Sequence, residues 1–493
     1  MGNTQSQQSH DEEQQDTQSC YGACFSRMMG PSTKGKEPMK PIHDEPDGDA
    51  SKDGIPTVVG TNAEDIPDDK KSIEVTSHPE KVKVYGPGIS EGRIGEKGVF
   101  TIETAEAGSG QMSVRVRGPK KSFDVRTQPH PTINDALLVE YNPTQTGTYA
   151  IDVEWTGVHV SGSPFTVNVV EGTEIIYHGT ITPCKDFSPE KDAAVLQKSI
   201  LDPGNGINEK AIIDILTSRS SEQRVAIRSC YLEKYQKDIG KELKAIFTGN
   251  MRRCTYAMLC SGDMYDATSL RKAMKSFKKK PDVVMEIICT RSSQDIHMVK
   301  EAYSKEFARD LEKDVGSEFS GSLKKFLLLL CQVTREAASE EVSEERVKDD
   351  VRKLSSSSEG VLDEDVVMEI CTSRSYQHLR AVFDQYARTN QIDFMDAVDC
   401  GIRSNLKKGM KVFVSYIRTP HVYFAERLWE TIKGGISLDD KSLIRILITR
   451  SEIDLVEVLK TFQQQYQKPL TKVIDEVTNG GYRHLLLTII STK

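Results

Sequence analysis

The sequence predicts a multidomain protein: a disordered tail, an all-β sandwich, and an all-α core of four repeats. Three observations carry this. Up to about residue 76 the chain is polar and poor in aromatics. From about 77 to 172 apolar residues alternate with a period of two, and from about 180 onward they follow the helical period. In that last region one short motif recurs four times.

Residues 1–76 are rich in Gln, Asp, Glu, Ser, Pro and Lys. They bury too little apolar area to offset the entropy of ordering, so disorder is expected. The opening MGNTQS places Gly2 and Ser6 in the N-myristoylation pattern. One acyl chain anchors only marginally, and Cys20 and Cys24 offer sites for a second lipid. The alternative is a polar start with two free thiols.

The net charge of −8 gives no bulk attraction to nucleic acid, so any anion-seeking surface must be local. The apolar run FLLLLC, from Phe326, is far below the roughly 18 residues a membrane span needs. The polar opening has no secretory character, so a cytoplasmic protein, peripheral at membranes if acylated, is expected. Ten cysteines without a CxxC pair argue against both a disulfide framework and a zinc site. HExxH, GxSxG and P-loop patterns are missing, and the histidines show no ligand spacing. The chain is expected not to be an enzyme.

The β region, 77–172, holds seven short alternating stretches: KVKVYGPG, GVFTIET, QMSVRVRGP, SFDVRT, ALLVEYNP, TYAIDVEWTG and SPFTVNVV. Gly, Pro and Asn separate them, which suits an antiparallel sandwich. YGPG (85–88), AGSG (107–110), RGP (117–119), YNPTQTGTY (141–149) and GSPF (162–165) stand in the order seen in filamin repeats, and the region resembles that family. The resemblance implies an immunoglobulin-like sandwich able to accept a peptide or protein strand at the edge around Met112 to Arg117. A spacer role is the plainer alternative.

In the helical region, 180–493, LTSRS, CTRS, TSRS and ITRS place Arg at 219, 291, 374 and 450. Twelve residues after each Arg stands an aromatic: Tyr231, Tyr303, Tyr386 and Phe462. An apolar helical stretch precedes each. Four repeats of this form, about 187–260, 261–342, 343–420 and 421–493, resemble the annexin core. The resemblance implies five helices per repeat, a curved disc whose convex face meets anionic phospholipid membranes, and calcium as the bridging ion. In that family a glycine loop between the first two helices supplies carbonyls, and an acid 27 residues after the motif arginine completes the shell.

Against that pattern each repeat departs. In repeat 1 Gly204 and Gly206 remain, but the acid position is Ile246. Repeat 2 keeps Glu318, yet its loop has Lys278, Lys279 and Lys280 instead of glycine. Repeat 3 has SSSSEG and Gly401, so both halves are gone. Repeat 4 keeps Gly434 and Gly435, with Val477 at the acid position and Glu476 just before it. Calcium takes six to eight hard oxygens, so weak or partly lost calcium binding is expected. The annexin topology would put the three lysines and Arg403 on the membrane-facing side. Lysines there attract anionic lipid at roughly 1 kcal/mol each, so some calcium-independent lipid binding is expected. The alternative is a cytoskeletal or structural adaptor whose helical core has lost lipid and calcium.

Overall fold

The computed structural model describes residues 77–493 apart from 120–121, 124, 172–175, 202–205, 277–278, 333–334, 337–341, 357–360, 434–437 and 492–493. Ile73–Lys493 forms one compact unit. The expected tail, with Gly2, Cys20 and Cys24, lies outside the described residues.

The β region begins with β1 (Lys83–Tyr85), β2 (Glu91–Arg93), β3 (Gly98–Glu103), β4 (Met112–Arg117) and β5 (Ser122–Phe123). It continues with β6 (Val125–Pro129), β7 (Ala136–Tyr141), β8 (Gly147–Trp155), β9 (Val158–His159) and β10 (Phe165–Val170). One sheet runs β1-β3-β7-β6 and the other β2-β10-β8-β4-β5, with β9 paired to β8. Alternation sets the packing: Tyr149, Ile151, Val153 and Trp155 of β8 all turn into the core between the sheets. Gly98 lies so close to the Tyr141 ring that an added Cβ would stand 2.2 Å from it. The Tyr141 hydroxyl donates to the Gly88 carbonyl at 2.8 Å.

All seven expected stretches contain strand. SFDVRT divides, however: β5 pairs with β4 in one sheet and β6 with β7 in the other. Strands β2 and β9 were not anticipated, because three and two residues are too few to display alternation.

Twenty helices follow among the described residues. Repeat 1 has α1 (Pro189–Leu201), α2 (Glu209–Thr217), α3 (Ser221–Tyr235), α4 (Ile239–Ile246) and α5 (Gly249–Met258). Repeat 2 has α6 (Gly262–Lys275), α7 (Pro281–Thr290), α8 (Ser293–Phe307), α9 (Leu311–Glu318) and α10 (Gly321–Gln332). Repeat 3 has α11 (Glu344–Leu354), α12 (Glu364–Ser373), α13 (Tyr376–Asn390), α14 (Phe394–Gly401) and α15 (Leu406–Arg418). Repeat 4 has α16 (Pro420–Ile432), α17 (Asp440–Arg450), α18 (Leu455–Tyr466), α19 (Leu470–Val477) and α20 (Gly480–Ile490).

The recurring Arg-Ser dipeptide explains the local geometry. Ser220, Ser292 and Ser375 each cap the helix that follows, α3, α8 and α13. The arginine just before each serine reaches back to an aspartate on the first helix of its repeat. Arg219 Nε donates to Asp192 at 2.6 Å, Arg291 Nε to Asp266 at 2.6 Å and Arg374 Nε to Asp350 at 2.7 Å. All four aromatics twelve residues on are buried.

The apolar residues gather into two helical cores, one from repeats 2 and 3 and one from repeats 1 and 4. A buried charge cluster joins them. Glu286 of α7 accepts from Arg427 at 3.1 Å and from Arg445 at 2.9 and 3.1 Å. The sandwich rests on repeats 3 and 4 through polar contacts. Lys97 stands 3.4 Å from both Glu140 and Glu426, and Arg126 pairs with Asp396 at 3.2 Å. Thr132 Oγ1 donates to the Tyr466 carbonyl at 3.1 Å.

Candidate functional site

The loop between α6 and α7 is the part of repeat 2 where lysines replace glycine. Pro281 takes the first helical position of α7, as its fixed φ suits. Lys280 precedes it at the cap, with no side-chain capping bond. Glu318, the last residue of α9, meets this loop: Lys279 Nζ lies 2.9 Å from Glu318 Oε2. The carboxylate is largely enclosed and the lysine mostly exposed. An ammonium therefore sits on the acid that the annexin pattern would give to calcium.

Lys280 turns elsewhere. Its Nζ donates to Asp439 Oδ2 at 2.9 Å, at the N-cap of α17. Burial opposes ionisation of Asp439, but the bonds from Lys280 and Ser442 outweigh it and hold its pKa below the usual carboxylate value. Lys280 is also part of the wall of a basic cavity between repeats 1, 2 and 4. Lys278 lies outside the described residues.

Elsewhere the expected positions hold other partners. In repeat 1 Gly206 is exposed with φ +71°, and Gly204 lies outside the described residues. Ile246 ends α4 packed on the core and offers no side-chain oxygen. In repeat 3 Gly401 ends α14, buried, and its carbonyl accepts from the Leu362 N–H at 3.3 Å. Arg403 follows, exposed, with no ion pair among the described residues. Two residues on, Asn405 donates to the Ser320 carbonyl at 2.9 Å and accepts from the Leu323 N–H at 3.2 Å. The connection carrying Arg403 is thus pinned beside the one that follows Glu318. In repeat 4 Glu476 pairs with Lys468 at 2.5 Å, and Gly434 and Gly435 lie outside the described residues. Among the described residues, no three His, Cys, Asp or Glu gather in a group able to hold a metal ion. No described helix is long and apolar enough to cross a membrane.

The contact of Lys280 with Asp439 was not anticipated, since 159 residues separate the two. The Arg–Asp pairs were missed as well. An aspartate 24 to 27 residues before the arginine in three repeats was the available signal.

Comparison with known proteins agrees with both regions. The family model of the Filamin/ABP280 repeat matches residues 76–166. The annexin family model matches 191–258, 265–330, 349–412 and 423–489. Human (Homo sapiens) annexin A7 is 37% identical over 332 residues, covering 67% of this chain and 66% of that protein. The chain thus spans about two thirds of that relative's length. Mouse (Mus musculus) annexin A13 is 36% identical over 306 residues, covering 62% of this chain and 95% of that one. Among solved structures, annexin III superposes with a TM-score of 0.60 at 33% identity, covering 64% of this chain and 97% of that one. Calcium-bound annexin (Sm)1 gives 0.60 at 26% identity, covering 64% and 93%.

Proposed function

Because the chain belongs to the annexin family, we propose that it is a membrane-associated, phospholipid-binding scaffold with degenerate calcium sites and a filamin-type interaction module. The working division is a tail (1–76), the sandwich (77–172) and the helical core (180–493). The observation that carries the calcium reading is the Lys279–Glu318 pair. A cation already neutralises the acid. Ile246 and Gly401 have no side-chain oxygen, and Glu476 is held by Lys468. These positions do not fit a tightly held calcium ion, so affinity is at best about millimolar, the weak end for oxygen-ligand sites. Lipid attraction falls instead to Lys278, Lys279, Lys280 and Arg403, helped by acylation at Gly2 and at Cys20 or Cys24. Partners are anionic membranes at the cytoplasmic side and a protein strand. No enzymatic step is assigned.

The strand site is the outer edge of β4. On one side β4 pairs with β8 along Met112–Arg117; on the other, among the described residues, β5 pairs with Val116 and Arg117. Met112 to Val114, next to the described pairing, leave backbone groups available for an added strand along this edge. Backbone amide shifts during peptide titration should cluster there; shifts confined to the far loops would refute the edge.

One observation favours the adaptor alternative: Lys279 and Lys280 both face carboxylates, which lowers the charge they offer a membrane. Vesicle sedimentation of unacylated protein separates the readings. The scaffold reading expects salt-sensitive binding to anionic vesicles in chelator. Absence of binding with and without calcium supports the adaptor, and binding only with calcium means the calcium sites are intact.

A further inference from the structure

Between repeats 1, 2 and 4 lies a cavity of about 810 Å³, walled by α4, α5, α6, α7, α8 and α17. Among the described residues its wall carries eight Lys or Arg side chains against one carboxylate, Glu306. This is a concentrated positive field in a chain whose net charge is −8.

Two of the cations are neutralised, Lys280 by Asp439 and Arg445 by Glu286, each at 2.9 Å. Others are not. Lys244, Lys272, Lys275 and Lys441 make no ion pair with a carboxylate among the described residues. Among the described residues Arg253 bonds the neutral amide oxygen of Asn250 and no carboxylate. Partial burial lowers the pKa of Lys272, and the like charges of Lys441, Lys244 and Arg253 lower it further. Repulsion among uncompensated cations destabilises the empty arrangement, and an anion would relieve it. The volume falls within the range of small-molecule sites, roughly 300–1,000 Å³. Lys and Arg from four helices converge on it, which suits several phosphate groups on one compact ligand.

We propose that this cavity binds a compact organic anion bearing several phosphates, free or as a lipid headgroup, without calcium. The site goes beyond the lysine-loop reading, because Lys279 and Arg403 are not part of its wall.

The test uses the full chain in chelator, with inositol trisphosphate in calorimetric titration. A parallel arm uses phosphatidylcholine vesicles carrying either phosphatidylinositol bisphosphate or, at equal surface charge, phosphatidylserine. Arg253→Gln and Lys272→Gln are the variants, and Lys191→Gln on α1 is the control. One ligand per chain is expected, with affinity falling as salt rises and about fivefold for each cavity cation removed. Binding of the soluble probe identifies a free ligand. Binding only to bisphosphate vesicles, lost in both cavity variants, identifies a headgroup. The proposal is overturned if neither form binds, if both vesicle types bind alike, or if the control loses as much as the variants. Circular dichroism checks folding, and Lys244→Gln on α4 replaces any variant that fails it.

Discussion

Repeats 1 to 3 and repeat 4 use the same Arg-Ser dipeptide in different ways. In the first three the arginine pins an aspartate on the first helix, and the serine caps the third helix. In repeat 4 the place of that aspartate is taken by Phe424, whose ring lies 4.4 Å from the Arg450 guanidinium. Arg450 finds its carboxylate four residues along, at Asp454, with bonds of 2.8 and 2.7 Å. Ser451 does not cap the helix that follows; it closes the end of α17 instead, its hydroxyl donating back to the Ile448 carbonyl at 2.8 Å. What persists across the four repeats is a pairing: a guanidinium drawn largely out of water is met by a carboxylate. The residue that supplies it is free to change.

The largest expected effect tests that pairing. Asp266→Ala leaves Arg291 buried and uncompensated, which should cost about 3–5 kcal/mol in denaturant unfolding. Asp454→Ala should cost a similar amount. A loss well under about 1 kcal/mol there would mean that the Phe424 ring alone holds Arg450, and the equivalence would break.

Acid should expose the same logic in repeat 3. Burial raises the pKa of Asp350, but bonds from Arg374 and His378 more than reverse this and leave it below the ordinary value. A depressed carboxylate contributes stability that is complete above the unfolded pKa, about 3.9, and is lost as pH falls through the folded value. Melting temperature measured across that acid range should therefore drop less steeply in Asp350→Asn than in the parent. An unchanged slope would remove Asp350 from the account.

A smaller effect is expected from the caps. Ser292→Ala removes the capping box of α8 and should cost about 1 kcal/mol, whereas a loss near zero would show that packing alone sets that boundary. Smallest in stability is Lys279→Ser. The pair is half open to water and should be worth under about 1 kcal/mol. Its effect should appear in ligand response instead, since freeing Glu318 raises calcium affinity in titration. No gain in calcium affinity would mean that the lysine was not what kept calcium out.

Periodicity is local, and so the fold class was legible in the sequence. Each of the seven alternating stretches contains strand, and the four apolar helical stretches before the arginines became α2, α7, α12 and α17. Pro281 also acts locally, at the first position of α7. Contacts made by folding were not legible. The division of SFDVRT between two sheets depends on which neighbour each half meets. Lys279 and Lys280 read as one basic run, yet they pair with carboxylates on α9 and before α17. The cavity draws its cations from four helices scattered across about 200 residues of sequence. Charge acts through space over a few ångströms, so only the packed chain decides which charges meet.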